Sequence, residues 1–327
     1  MKRWAFVAIM IALSACRADK DDQERAREAD AVLISGDAID CTGELSDATR
    51  AVCADVELRA MDRQIAELWS EVEAVTGRPS TLRRRHADWL AERDAGERAW
   101  DSGELRTRTP AELRDFHQAY IDALTEELRQ ARALPATSPI SALGGGCIGA
   151  ALNGCTAPAS GYLTGARGQR LAWQRQSGST ELNGVSEGII LFRIDGDLLR
   201  PIGWSFEGAG FEAPVMFQDG EHTYVASKGW LAGTGNQNAD VLFRLDGQAW
   251  TEIEVESWKT ALDQALPEGL EVWKGVDYDW PSMMAVSGLW RPDDANCCPT
   301  GGEAVMELRV GGTALELVRV TTRPGRD

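Results

Sequence analysis

Two adjacent cysteines, Cys297 and Cys298, sit in the run "PDDANCCPTGG" and are the first residues whose types and spacing suggest chemistry. Neighbouring thiols bind soft metals or alternate between dithiol and disulfide. Asp293, Asp294 and Asn296 just before them carry oxygens that suit a hard cation. A zinc site needs further Cys or His at ligand spacing, and the sequence has none there. A structural disulfide without metal is therefore the expected state of the pair. A second motif, "GVSEG" at 184–188, matches Gly-x-Ser-x-Gly. A nucleophile elbow needs a strand before the serine and a helix after it. Here polar "RQSGSTELN" precedes Ser186 and apolar "IILFRI" follows it, so the hydrolase reading is rejected. The three histidines, His86, His117 and His222, are scattered, and the first two are expected on helices as core or surface positions rather than ligands. No phosphate loop or nucleic-acid signature is present. The sequence thus assigns no catalytic residue, no metal and no cofactor, and the chain is expected not to be an enzyme.

How the cysteines are read depends on the compartment. The apolar run "FVAIMIALSAC" ends on Cys16 and follows Lys2 and Arg3. It is too short to span a bilayer, which takes about 20 apolar residues. A basic start, a short apolar stretch and small residues at its end describe a secretory signal. Leu13-Ser14-Ala15-Cys16 resembles a bacterial lipobox, which implies lipidation of Cys16 after cleavage. The chain is then expected in the cell envelope, held to membrane through a lipid anchor. Arg17 stands where an inner-membrane retention signal would place Asp, which favours the outer membrane facing the periplasm. The charged run "RADKDDQERAREAD" that follows has almost nothing to bury and reads as a tether.

With Cys16 given to lipid, six of the seven cysteines remain, and an even number in an exported chain predicts disulfides. Cys41 and Cys53 are read as a staple on a small helical core. The pairing of Cys147, Cys155, Cys297 and Cys298 stays open. The chain has 327 residues, 43% of them hydrophobic, with 12 tryptophans, enough for two packed domains. Its formal net charge of −17 repels nucleic acid and attracts a basic partner.

The elements that must carry these residues fall into two kinds. From Asp55, Leu58, Met61, Ile65, Leu68, Trp69, Val72 and Val75 recur at helical spacing until Gly77. Ser80 is expected to cap a second helix with the stripe Leu82, His86, Trp89 and Arg93. In "TPAE", Thr109 is a cap, Pro110 fits the first turn and Glu112 closes a capping box. The third stripe is Leu113, Phe116, Tyr120, Leu124 and Leu128.

The stretches "DCTGELSDATRAVCADVELRAMDRQIAELWSEV", "RRHADWLAERDAG" and "FHQAYIDALTEEL" resemble the LprI-type lysozyme inhibitor N-terminal domain family. The matching residues are Cys41, Cys53, Ala54, Asp55, Leu58, Asp62, Trp89, Leu90, Arg93 and Asp94. That family usually has a further cysteine after Arg-Asp. Gly96 stands there in this chain, and no cysteine lies between Cys53 and Cys147, which implies one missing disulfide rather than a different fold. The resemblance implies a helical envelope module, with lysozyme inhibition among its members. It implies no inhibitory residue here, because the matching side chains fall on buried stripes.

Beyond "LPATSPISALGGG" the pattern turns to strands. "GIILFRIDG" and "DVLFRLDG" are near copies, "MELRVGG" is a weaker third, and "MFQDGEHTYVAS" reads as another hairpin. The repeat raises a propeller, but the third spacing breaks the period, so a compact β-rich domain with one inserted helix, "SWKTALDQAL", is expected. The "DANCCP" segment is similar to LppP/LprE-type lipoproteins, which implies location and no chemistry.

The expected chain is α+β and multidomain. It has a signal peptide at 1–15, a tether at 16–39, a disulfide-stapled helical bundle at 40–133, a linker at 134–146 and a domain of antiparallel hairpins at 147–327. The expected function is non-enzymatic binding, with a cationic lysozyme-type muramidase or another envelope protein as partner. The alternative is an envelope scaffold or sensor whose β-rich domain binds another envelope component.

Overall fold

The computed structural model describes residues 39–324, apart from 43–44, 77–78, 99–104, 183, 233–236, 273–274 and 296. The expected signal peptide, Cys16 and all but the last residue of the expected tether lie outside the described residues. Among those described, five helices and several antiparallel sheets make an α+β fold. No helix among them is long and apolar enough to cross a membrane.

The helices open with α1 (Asp47–Ala54), which the sequence pattern did not predict. Its signal was local: Ser46 accepts a hydrogen bond from the Thr49 backbone N–H at 3.0 Å. Cys41 and Cys53 stand at disulfide distance and tie the entering chain to this helix. In α2 (Val56–Thr76), Leu58, Ile65, Trp69 and Val72 are buried, whereas Val75, in the last turn, is 42% exposed. Asp62 is buried with them and accepts from the Ile39 N–H at 2.7 Å. Helix α3 (Pro79–Ala95) begins one residue before the expected cap, so Ser80 lies inside its first turn, where Pro79 is well tolerated. The capping box of α4 (Pro110–Ala133) is formed as expected by Thr109 and Glu112. Trp89 joins α3 to α4, stacking on Phe116 and Tyr120 with ring centroids 5.5 and 4.6 Å away.

Between α3 and α4 the chain forms a short hairpin, β1 (Glu97–Arg98) with β2 (Leu105–Arg106). Gly96 enters it at φ +86°, and a Cβ there would lie 2.2 Å from the Arg106 carbonyl oxygen. This turn therefore demands glycine at position 96.

The first large sheet has the order β3-β7-β6-β5-β4, from β3 (Ser138–Pro139), β4 (Asn153–Thr164), β5 (Arg170–Thr180), β6 (Gly184–Asp195) and β7 (Leu198–Gly208). A two-stranded pair, β8 (Gly210–Phe211) with β11 (Gly229–Trp230), flanks the second. The second sheet is β13-β12-β10-β9, from β9 (Val215–Asp219), β10 (His222–Ser227), β12 (Val241–Asp246) and β13 (Ala249–Ile253). The third is β14 (Asp277–Asp279), β15 (Met284–Gly288), β16 (Glu303–Gly311) and β17 (Ala314–Arg323), in that order. The inserted helix is α5 (Lys259–Ala265). The expected hairpins turn at Gly196, Gly220, Gly247 and Gly312, all with φ between 57° and 64°, a conformation that glycine adopts without strain.

The near-copied strands share an unbroken apolar run, at 189–192 and at 241–243, because both their faces are covered there. Val225, Val241 and Phe243 join Leu171, Ile189 and Leu191 of the first sheet in one core. Tyr224, Ala226 and Leu242, on the opposite face, join Tyr278, Trp280, Ala285 and Met306 in another. The second sheet is thus sandwiched, and alternation along its strands distributes side chains between two cores. The other face of β6, with Ile190 and Phe192, packs on Ala131 of α4 and on Leu143 and Ile148. Leu143 lies in the stretch 134–146 that the sequence marks as a linker. That stretch carries β3 and a 3-10 turn, for which proline, serine and glycine are equally suited.

Candidate functional site

A cavity of about 220 Å³ opens where α3 and α4 meet β7, β13 and the chain leading into β12. Six carboxyl groups line it: Glu127, Glu207, Asp240, Glu252, Glu254 and Glu256. A single guanidinium, Arg85, faces them and pairs with Glu127. Trp204 and Phe206 supply apolar wall. Each element contributes for a local reason. Arg85 stands three residues from Leu82, which is anchored in the helical core, and Glu127 precedes buried Leu128 by one residue. β7 alternates, so that Phe206 points into its core while Glu207 is exposed.

Asp240 forms the buried end, at 8% exposure. It accepts from Asn238 Nδ2 at 2.8 Å and from Trp280 Nε1 at 3.2 Å. Asn238 is itself held by Val276, donating to its carbonyl at 2.7 Å and accepting from its N–H at 2.9 Å. Burial pushes the Asp240 carboxyl up to about 6, against the pull of these hydrogen bonds. Glu254 accepts from the Glu256 N–H at 2.9 Å through Oε1. Its Oε2 is buried with no hydrogen-bond partner, and burial raises this carboxyl as well. Two acids raised by desolvation beside further carboxylates form a site that gains when a cation enters and restores the lost solvation. The volume is below the roughly 300–1,000 Å³ of small-molecule pockets, and it suits a single amine or guanidinium rather than a sugar chain or cofactor.

The residues singled out in the sequence do not gather here. Ser186 lies inside β6, buried, donating to the Phe206 carbonyl, with no helix after it. Gly-x-Ser-x-Gly is therefore part of a strand ladder. His86 Nδ1 contacts the Tyr120 hydroxyl at 3.2 Å, and His117 Nδ1 donates to the Leu113 carbonyl at 2.7 Å. His222 opens β10 at the surface. Among the described residues no group of three or more His, Cys, Asp or Glu side chains is arranged to hold a metal. Asp294, a candidate oxygen ligand, instead clamps its own loop by accepting from the Arg291 N–H, the Thr300 N–H and the Thr300 hydroxyl, each at 2.7 Å. Asn296 lies outside the described residues. The six cysteines are at disulfide distance in the pairs Cys41–Cys53, Cys147–Cys155 and Cys297–Cys298.

The cavity was not legible in the sequence. Carboxyls in so acidic a chain single nothing out, and these come from residues as far apart as Glu127 and Glu256. No family model matches the chain, and no curated protein matches it. Among solved structures it is similar to a xylan beta-1,4-xylosidase from Bacillus halodurans C-125, at 14% identity and a TM-score of 0.22. That likeness covers 52% of this chain and 32% of the xylosidase chain.

Proposed function

We propose that this chain is a non-enzymatic, lipid-anchored binding protein of the cell envelope that captures a cationic protein partner. The observation that carries the reading is the acidic cavity, lined by the desolvated carboxyls of Asp240 and Glu254 among others. A lysine or arginine side chain presented by a partner would find there a compensating charge and a hydrogen-bond acceptor, Glu254 Oε2, that has no other use. A muramidase of the lysozyme type is the leading partner. It meets such a lipoprotein at the cell wall, and the LprI-type resemblance of residues 40–133 implies that class. In this reading those residues form a disulfide-stapled bundle that faces the enzyme, and the β-rich region completes the acidic mouth. The outer membrane, reached through lipid on Cys16, is the proposed location.

The second reading is an envelope scaffold or sensor in which the β-rich region binds an envelope component and the helices are a spacer. The cavity favours the first, because Arg85 and Glu127 come from helices and the other carboxyls from the β region.

The test is residual muramidase activity on cell walls, titrated with the mature chain carrying Cys16→Ser, at low and moderate salt. Saturable inhibition that survives moderate salt is expected. The double variant Asp240→Asn/Glu254→Gln should weaken it at least tenfold. Inhibition that is absent, or lost on screening as loose charge attraction would be, gives the scaffold reading the lead.

A further inference from the structure

The three cysteine pairs do unequal structural work. Cys41–Cys53 and Cys147–Cys155 close loops with sequence separations of 12 and 8, whereas Cys297–Cys298 has a separation of 1. A disulfide stabilises largely by restricting the unfolded chain, and the effect grows with the loop it closes. A bond between neighbours restricts least and ties no two elements together. The loop around it is also held without the sulfurs. Asp294 collects the Arg291 and Thr300 donors, Arg291 donates to Thr300, and the Cys298 N–H donates to the Ala295 carbonyl at 2.9 Å. At the loop's base, Gly301 N–H donates to the Leu289 carbonyl at 2.8 Å and Leu289 N–H to the Gly302 carbonyl at 2.9 Å. Both cysteines are nonetheless exposed, whereas Cys53, Cys147 and Cys155 are each partly covered.

We propose that Cys297–Cys298 is a reversible dithiol–disulfide site that accepts two electrons from the dithiol of an envelope protein. A thiolate of the partner attacks one exposed Sγ, the Cys297–Cys298 bond breaks, and the other Sγ leaves as a thiolate that takes up a proton. The partner's second thiol then attacks the mixed disulfide, loses its proton and releases the second cysteine as a thiol. The partner ends as a disulfide, and this chain ends with two free thiols. The direction follows from the state of the pair: at disulfide distance it is the oxidised partner, and a disulfide can only accept electrons. Asp293 and Asp294 beside the pair, against one cation in Arg291, disfavour a lasting thiolate on this loop, so the departing Sγ takes up its proton as the bond breaks. Because the clamp does not use the sulfurs, the loop keeps its place in both states. The site is independent of the acidic cavity and of the partner proposed for it.

The experiment exposes the folded mature chain with Cys16→Ser to reduced dithiothreitol as the model dithiol at neutral pH. Timed alkylation and peptide mass spectrometry then read each pair. Cys297 and Cys298 should acquire label at least tenfold faster than Cys41, Cys53, Cys147 or Cys155, with the circular dichroism spectrum unchanged. Phenylarsine oxide added after brief reduction should bind one to one and block that labelling. In Cys297→Ser/Cys298→Ser, arsenical binding should vanish while the other two pairs stay oxidised. Labelling of this pair no faster than of Cys41–Cys53, labelling only as the spectrum collapses, or arsenical binding that persists in the double variant would each overturn the proposal.

Discussion

In the helical segment the desolvated histidines are His86, half-buried, and His117, buried; at the cavity against the sheets the desolvated acids are Asp240, buried, and Glu254, half-buried. Desolvation acts on both sets and moves them in opposite directions. Burial, with Arg93 nearby, pushes His86 down to about 4 and lowers His117, so both stay neutral in the fold. Burial pushes Asp240 up to about 6 and raises Glu254. The consequences for stability are opposite in sign. Below about 6.5 the unfolded chain protonates its histidines while the folded chain resists, so the helical segment loses stability as pH falls from about 6.5 to about 4. Between about 6 and 3.8 the folded chain holds a proton on Asp240 that the unfolded chain has released, so the cavity region gains stability over that fall. A global unfolding curve would partly cancel the two. Region-resolved hydrogen exchange, read as protection factors so that the slower intrinsic exchange in acid is divided out, should show protection falling in α2 to α4 on acidification and rising in β12 and β13. Capture of a cationic side chain should strengthen as pH rises through 6, because Asp240 then carries its charge.

The severest way to break this contrast is to remove Trp89. It is 7% exposed, stacked on Phe116 and Tyr120 and edge-on to His117 at 5.1 Å. Trp89→Ala should cost about 3–5 kcal/mol in urea denaturation. Protection should be lost in α2 to α4 before β10 and β12; equal loss in both would show that the regions unfold as one unit and cannot respond to pH separately.

A smaller and opposite effect is expected at the cavity. Asp240→Asn keeps an acceptor for Trp280 and removes the charge whose burial is unfavourable, but it turns an amide donor toward Asn238 Nδ2 and loses that hydrogen bond. The gain in stability at pH 7 should be about 1 kcal/mol, because the lost hydrogen bond offsets much of the cost of ionising a buried carboxyl. The substitution should also flatten the stability profile between about pH 4 and 6. It should weaken cation capture as well, so that stability and binding move apart.

An effect no larger is expected at His86. His86→Phe retains a ring beside Trp69 and Trp89 but leaves the Tyr120 hydroxyl without its contact, a loss of about 1 kcal/mol at pH 7. Its value lies in the slope. Protection factors in α3 and α4 should become markedly less sensitive to pH between about 6.5 and 4 than in the parent protein.

Two local features escaped the sequence pattern for related reasons. Helix α1 is only eight residues long, and its buried face of Ala48, Thr49 and Val52 is too short to display a period. The β1–β2 hairpin has two residues per strand, and its clearest mark is the positive φ of Gly96, which a sequence does not display. At the cavity the sequence supplied the excess of acid but not the selection. Nothing local distinguishes Asp240 from Asp246, which is held by Arg244 in an ion pair of 2.8 Å and whose carboxyl is lowered mainly by that hydrogen bond.

The sequence by itself determined what depends on a few consecutive residues. It set the capping box at Thr109 and Glu112, the apolar stripes of α2 and α4, and the hairpins that turn at Gly196, Gly247 and Gly312. Only the tertiary structure decided how the last four cysteines pair, which faces of β6 and β12 meet which core, and which carboxyls lose their water. Backbone propensity and capping act over one or two turns of chain. Desolvation depends on what packs against a side chain, and for Asp240 that includes Trp280, forty residues further along the chain.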